Sequence, residues 1–505
     1  MKYDVIIGLE IHAEIKTASK AFCSCPNDPF NSEPNTNVCP ICLAHPGTLP
    51  LINQEVIEKV LLLGLALDCQ INKLSKFDRK NYFYPDLPRA YQISQEDLPL
   101  AYGGYLEVNK QKIEINRIHL EEDTAKLNHP KGKAYTLIDF NRAGVPLLEL
   151  VTAPVIRDAT TAKMFCQTFQ QVLQYLDISG ANMEKGEMRC EANVSLQEKN
   201  SWYHENGSIK TLKNKKLNNK VELKNINSFK ALEKAINFEI KRQSELLDRG
   251  EEVLLETRGY NEDRGETFHQ RIKESSADYR YYPETNITPL KIESDDLLSL
   301  KNKIGELPHR KKERFIEEYA CSAEIAEVLV EDKEVAKWIE MVISELREWL
   351  SAKEKSWENK KRQLTKLTFD WLKNELFQLL RAHKKNINET KISAENFAEL
   401  IHLLYLEKIN STAGQKILQI MFENGDSPTN IMEEQGLEQK NDGDFSELED
   451  LFKKIKQEYS NQWTEYRNGK EVLLQFFIGK IMAETRGRYK AEKIIELIKK
   501  HYEEK

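Results

Sequence analysis

Four cysteines fall in two close pairs, Cys23-x-Cys25 and Cys39-x-x-Cys42, separated by about a dozen residues. Four thiolates so spaced suit a tetrahedral zinc ion. A site filled by four cysteines keeps no open coordination position, so the expected role is a structural staple for a loop with little core of its own; free or redox-active thiols are the other reading. A second set begins at Gly8-Leu9-Glu10-Ile11-His12. In a strand, Glu10, His12 and Glu14 share one face and Ile7, Leu9 and Ile11 the other. A carboxylate beside an imidazole can hold a divalent ion, although a solvated strand face carries the same pattern. Further acids sit in β-patterned runs, at His119 to Asp123, around Glu191 and around Glu222. Acids there must be exposed, paired or bound to metal. Two proline-stiffened aromatic loops, Phe77 to Asp86 and Ser275 to Pro283, place arginine beside tyrosine. That pairing offers phosphate binding and base stacking, or simply a tyrosine-rich packing corner.

The elements that must position these residues change character along the chain. Up to about residue 290, short β-rich runs alternate with turns: Val5 to Ile15, Tyr105 to Asn109, Lys112 to Leu120, Tyr135 to Phe140, Met188 to Leu196 and Val221 to Asn225. Helical periodicity interrupts them near Gln54 to Leu67, over Thr160 to Leu176, and from an N-cap at Ser228 to Arg249. The class is α+β. Neither GxxxxGK[ST] nor GxGxxG occurs, so a P-loop or Rossmann site has no support. Beyond residue 290 glycine thins and helices are expected over Asp295 to Ile304, Pro308 to Tyr319 and Ser322 to Ser351. Lys353 to Lys366 reads as an exposed helix or linker, and short helices follow from Ser393.

At 505 residues two to four domains are expected. A formal net charge of -7 argues against a general nucleic-acid coat, though not against RNA, because basic clusters occur at Lys213 to Lys220 and Arg486 to Lys490. No apolar run approaches the roughly 20 residues of a membrane span. The opening residues lack a signal-peptide pattern, and a cytoplasmic location is expected, with an organelle equally compatible.

Read together, GLEIHAEIKTASKAFCSC (from Gly8), CPICLAHPGTLP (from Cys39), FDRKNYFYPDLPRAYQISQ (from Phe77), HLEEDTAKL (from His119), DFNRAGVPLLELVTAP (from Asp139), MRCEANVSL (from Met188), VELKNINS (from Val221) and SSADYRYYP (from Ser275) resemble, in order, the B-subunit family of glutamyl/aspartyl-tRNA amidotransferases. KIMAETRGRY, from Lys480, resembles the family's YqeY-like tail more loosely. The resemblance implies a mixed or antiparallel-sheet catalytic cradle at 1–290, an all-α helical domain at 291–392 and a small tRNA-binding tail at 393–505. It implies an ATP- and magnesium-dependent ligase that phosphorylates the side chain of Glu-tRNA(Gln) or Asp-tRNA(Asn) before amidation. Ammonia would come from a separate glutaminase (amidase) subunit, and a small third subunit would complete a heterotrimer.

By the same resemblance, Glu10, His12 and Glu122 match metal positions, with Glu191 and Glu222 as further acids. Arg79, Lys80 and Tyr82 become candidates for ATP or the activated carboxylate, with Lys80 grouped among the catalytic residues. Asp278, Tyr279 and Arg280 become candidates for the tRNA end, and Arg486, Arg488 and Lys490 for tRNA phosphates, or for closing a helix at its C-terminus. Strand parity sets Glu122 in phase with Ile118 and Leu120, so a turn must reorient the chain there. The sequence departs from the family at Lys199 to Lys220, a longer connection, and at Glu191, where many members have Asp. Some members lack the cysteine quartet, so zinc is not essential to the chemistry. The plainer competing reading is a zinc-stapled RNA-binding adaptor without ATP turnover.

Overall fold

The computed structural model describes residues 2–212, 215–272, 279–351, 356–439, 446–485 and 489–503. It divides into two compact units between Arg310 and Lys311. The sequence places this boundary at 290/291; the segment to Leu307 stays with the first unit because Ile292, Leu300 and Leu307 join its core.

Among the described residues of the first unit, ten strands form one largely antiparallel sheet. The strand Tyr3–Glu14 lies near its centre, between Met188–Glu198 and Pro146–Thr152; Gln111–Glu122 follows Pro146–Thr152, and Val221–Lys224 follows Met188–Glu198. Alternation decides the two faces. Ile7, Leu9, Ile11, Leu148, Leu150, Ile118, Leu120, Ala192 and Val194 are all buried in one core. The helices Gln54–Ala66, Ala159–Tyr175 and Phe229–Asp248 pack onto that layer. The second of these helices buries Phe165, Phe169 and Val172 completely, the stripe its periodicity predicts. Its Asp158 cap accepts from the Thr161 amide at 2.8 Å, and Ser228 caps Phe229–Asp248 through the Ala231 amide at 3.0 Å.

The opposite face is polar, and register decides what meets on it. His12 stands opposite Glu149, and Glu149 opposite His119. On the other side Glu10 stands opposite Glu191, and Asn193 opposite Glu222. Directly opposed side chains in an antiparallel pair start about 4.5–5.5 Å apart at Cβ, so these residues converge without any special loop. The strand Pro146–Thr152 escapes a reading by alternation. Its run Pro-Leu-Leu-Glu-Leu-Val is nearly all apolar and buried on both faces, so the period of two is hidden.

The second unit is helical. Ser322 to Ser351 is two helices, Ala323–Val330 and Lys333–Ser351, because Asp332 caps the second by accepting from the Glu334 amide at 2.7 Å. One core runs from Phe315 to Leu437, so it continues through the expected boundary at 392/393. A separate core, Leu448 to Ile498, is built by the last helices. Among the described residues no helix is long and apolar enough to cross a membrane.

Candidate active site

On the polar face the His12 Nε2 atom lies 3.2 Å from Glu149, 3.5 Å from Glu121 and 4.0 Å from Glu10. His119 Nε2 lies 3.3 Å from Glu149 and 3.8 Å from Glu121. Three overlapping donor groups result: Glu10 with His12 and Glu149; His119 with Glu121 and Glu149; and Glu10 with Glu191 and Glu222. Oxygen-rich sets with one imidazole are the chemistry of magnesium or manganese. The buried His119 Nδ1 has no hydrogen-bond partner among the described residues, so its ring is oriented by the acids alone.

Charge within the cluster is balanced by protons and lysines. Burial opposes an imidazolium at His12, but Glu149 and Glu121 outweigh it and push the ring up to about 9. His119 is raised by the same acids against its own burial. Burial works against charge on Glu121 too, yet Lys80 and His119 hold it at about 2. Glu149 is held well below the carboxylate range by His119 and His12 despite its burial. Glu10 goes the other way, raised by burial and by Glu149. A divalent ion entering here would displace the imidazolium protons.

Lys80 extends from the short strand Asp78–Asn81 to 3.7 Å from Glu121, with its Nζ 5.2 Å from the centre of the Tyr279 ring. Tyr82 meets Tyr279 edge to face at 5.8 Å, and Tyr279 meets Tyr281 at 6.2 Å. Asn81 pins this wall, donating its amide to the Tyr279 carbonyl and its side chain to the Arg280 carbonyl, each at 2.8 Å. Arg280 thus enters the wall through its backbone, at φ of 43°. Asp278, Arg486 and Arg488 lie outside the described residues. Lys224 spans Glu191 at 2.6 Å and Glu222 at 3.6 Å, so the third acid group already contains a cation.

Three expectations are corrected by this geometry. Glu122 does not join Glu10 and His12. The strand Gln111–Glu122 runs straight through it, no turn reorients the chain, and the parity seen in the sequence prevails. Glu122 accepts from Arg89 at 2.8 and 3.0 Å and from the Ile93 amide at 3.2 Å, and its place in the cluster belongs to Glu121. Arg79 turns away from the cluster: its guanidinium makes two 2.8 Å bonds to Glu284 and lies over the rings of Tyr91 and Tyr282. Lys490 does not close a helix. It precedes the helix Ala491–Glu503, where a cation opposes the helix dipole, and it pairs with Glu407.

Sequence reading misses Glu149 and Arg89, and includes His119 and Glu121 only as members of the acid-rich run His119 to Asp123. For His119 and Glu121 the signal is present, since both are in phase with each other and out of phase with the apolar Ile118 and Leu120. Glu149 is detectable only as a lone acid inside an apolar run.

The four cysteine sulfurs of Cys23, Cys25, Cys39 and Cys42 lie within 4.8 Å of one another, as a tetrahedral ion requires. The Cys42 thiol is pulled down to about 4 by hydrogen bonding from Cys23, then by the Cys39 amide and the charge of Lys20, against its burial. Lys20 is fully buried. It donates to the Asn37 and Ala143 carbonyls at 2.8 Å each and lies 3.8 Å from the Cys42 sulfur. Arg89, besides holding Glu122, donates to the Ile41 carbonyl at 2.8 Å and so ties the knuckle to the strand that carries Glu121.

A sheet face with converging acids, two imidazoles and a lysine under an aromatic wall defines a candidate divalent-metal site of the kind that handles phosphoryl groups. Residues 5–297 match the GatB/GatE catalytic domain, and residues 354–501 match the GatB domain. The B subunit of the aspartyl/glutamyl-tRNA(Asn/Gln) amidotransferase of Carboxydothermus hydrogenoformans is 40% identical over 505 residues, covering 99% of this chain and 98% of its own. That of Persephonella marina is 38% identical over 97% of each chain, and that of Thermosipho melanesiensis 40% over 99% of each. The chain belongs to the GatB family, that of the aspartyl/glutamyl-tRNA(Asn/Gln) amidotransferase B subunits.

Proposed function

We propose that this chain is the part of a tRNA-dependent amidotransferase that activates and amidates the side chain of Glu-tRNA(Gln), Asp-tRNA(Asn) or both. The observation that carries the reading is the convergence of Glu10, His12, Glu121 and Glu149 with Lys80 on one sheet face of a GatB-family chain. A free carboxylate does not react with ammonia. One of its oxygens must first attack the γ-phosphorus of ATP, with the bond to ADP breaking. Ammonia nitrogen then attacks the carbonyl carbon, phosphate leaves with the C–O electron pair, and the nitrogen gives up a proton.

Glu10, His12, Glu121 and Glu149 would hold magnesium, which when bound offsets the charge on the phosphate oxygens. His119 orients Glu121 and Glu149. Lys80 would stabilise negative charge on the acyl phosphate; its largely desolvated setting, where such stabilisation is strongest, supports that role. Tyr82, Tyr279 and Tyr281 supply stacking surfaces for the tRNA end. Arg79 acts as a positioning residue, locking the Tyr282–Glu284 segment against the strand of Lys80. Zinc at the cysteine quartet would be structural. Ammonia would arrive from a glutaminase subunit, with a small third subunit to complete a cytoplasmic heterotrimer. The domain around Lys490 would grip tRNA away from its aminoacylated end.

The test replaces Glu149 with Gln in the assembled complex. Binding of misacylated tRNA should persist while ATP-dependent amide formation falls by about 10²–10³-fold, the scale for losing one electrostatic element of a transition state. Unchanged amide formation would remove the site.

A further inference from the structure

The segment Tyr91 to Gln95 ends the motif that begins at Phe77, and alternation sends its residues two ways. In the strand Tyr91–Ser94, Ile93 is fully buried in the apolar core, which turns Gln92 and Ser94 to the other side. Gln92 stands opposite Lys80, and Ser94 opposite Asp78, on the neighbouring strand Asp78–Asn81. Gln92, Ser94 and Gln95 are polar yet at most 4% exposed, so each needs partners inside the protein.

Each finds one in the strand Gln111–Glu122. Gln92 donates to the Glu122 carbonyl at 2.7 Å, the Leu120 amide donates to Gln95 Oε1 at 3.1 Å, and the Ser94 hydroxyl donates to Glu121 Oε2 at 3.2 Å. Gln95 is held in turn by Ser75, to whose hydroxyl it donates at 2.7 Å. One short strand therefore pairs with the strand of Lys80 and also clasps the residues around Glu121. The two oxygens of Glu121 meet different groups. Oε2 faces Ser94, Lys80 at 3.7 Å and His119 at 3.8 Å, whereas Oε1 lies 3.5 Å from His12 Nε2. The last torsion of a glutamate is broad, and a fixed donor on one oxygen narrows it.

We propose that Ser94 is a positioning residue for the divalent ion: by holding Oε2 of Glu121 it leaves Oε1 to the ion, on the side of His12. The proposal rests on the metal-dependent reading above and names the group that orients one of its acids. Lys80 serves this purpose less well, because its ammonium ends a flexible four-carbon stem and its charge is the one the acyl phosphate would draw on. Ser94 has one side-chain torsion, and at 1% exposure no bulk water competes for its proton. Contacts of this outer kind fix the orientation of a ligand and raise metal affinity.

The experiment uses the assembled complex with Ser94→Ala, Ser94→Val or Ser94→Thr, and reads Mn2+ affinity from the electron paramagnetic resonance signal of the free ion, without ATP or tRNA. Valine and threonine are close in shape and differ in the hydroxyl, so the pair separates the hydrogen bond from the added methyl. Ser94→Ala and Ser94→Val should weaken Mn2+ binding about 10–100-fold, and Ser94→Thr should stay within a few-fold of wild type. The Mg2+ concentration that half-activates amide formation should rise in parallel for the first two, with KM for misacylated tRNA unchanged. Wild-type Mn2+ affinity in folded Ser94→Ala overturns the assignment. So does a Ser94→Thr complex as weak as Ser94→Val, since the hydroxyl would then count for nothing. Failure of the underlying metal reading looks different: the wild-type and Glu149→Gln complexes would then bind Mn2+ equally.

Discussion

Glu121 and Glu122 are consecutive in the chain and serve opposite faces of the sheet. Glu121 lies 3.5 Å from His12, whereas Glu122 is gripped by Arg89 at 2.8 Å on the face that carries Ile118 and Leu120. The two carboxylates therefore separate chemistry from stability. Glu121→Gln should keep the fold and lower amide formation by about 10²-fold or more. Glu122→Gln strands a buried guanidinium and should cost about 3–5 kcal/mol of stability, with turnover per folded molecule changing less than tenfold. Thermal melts beside single-turnover rates distinguish them; equal kinetic losses in both would return Glu122 to the site.

Lys80 lies 3.7 Å from Glu121, and Tyr279 faces it from the other side. Lys80→Met should depress the rate of amide formation by about 10²-fold while leaving KM for misacylated tRNA within a few-fold. A rise in that KM with an intact maximal rate would make Lys80 a tRNA contact instead.

The pair Arg79–Glu284 predicts an acid-sensitive clamp. Burial would raise the Glu284 carboxyl, but Arg79, the Asn286 amide and Tyr91 hold it below its ordinary value. A carboxylate depressed in the folded state contributes stability above its unfolded pKa of about 4.3, and loses it as pH falls through the lower folded value. Glu284→Gln should therefore lower Tm at pH 7, and the gap from wild type should narrow steadily below about pH 4. A gap that is constant with pH would show that packing, not charge, makes the clamp.

Lys20 sits beside a set of thiolates whose ion would leave net negative charge in a buried place. Lys20→Met should weaken zinc binding about 10–100-fold, the usual scale for a lost outer contact of a metal site. Competition with a chromophoric chelator measures this directly, and Cys39→Ser serves as the reference for a lost ligand. An affinity equal to wild type would reduce Lys20 to a tether for the Asn37 and Ala143 carbonyls.

Much of the first unit is legible in the sequence because alternation and capping are local signals: the strand of Glu10 and His12, the helix stripe of Phe165 and Phe169, and the Ser228 cap all follow from spacing. Register is not local. Which acid meets His12 depends on how far Pro146–Thr152 slides against its neighbours, and that strand itself is hidden by burial on both faces. Parity at Glu122 is visible, and following the family motif over the parity misplaces by one residue the carboxylate that faces His12. Lys20 and Arg89 give no signal, because a buried cation is defined by carbonyls and carboxylates that only the folded chain brings to it.

The candidate site draws its acids and imidazoles from strands, not from the loops between them, and this sets how the gene can vary in length. The hairpin of Trp202–Glu205 and Ser208–Thr211, between Met188–Glu198 and Val221–Lys224, leaves Glu191 and Glu222 on the polar face. One residue gained or lost inside Pro146–Thr152 would instead carry Glu149 through to the apolar side. A segment inserted at a strand end therefore leaves the facing of these acids intact, whereas a single-codon slip within a strand reverses it.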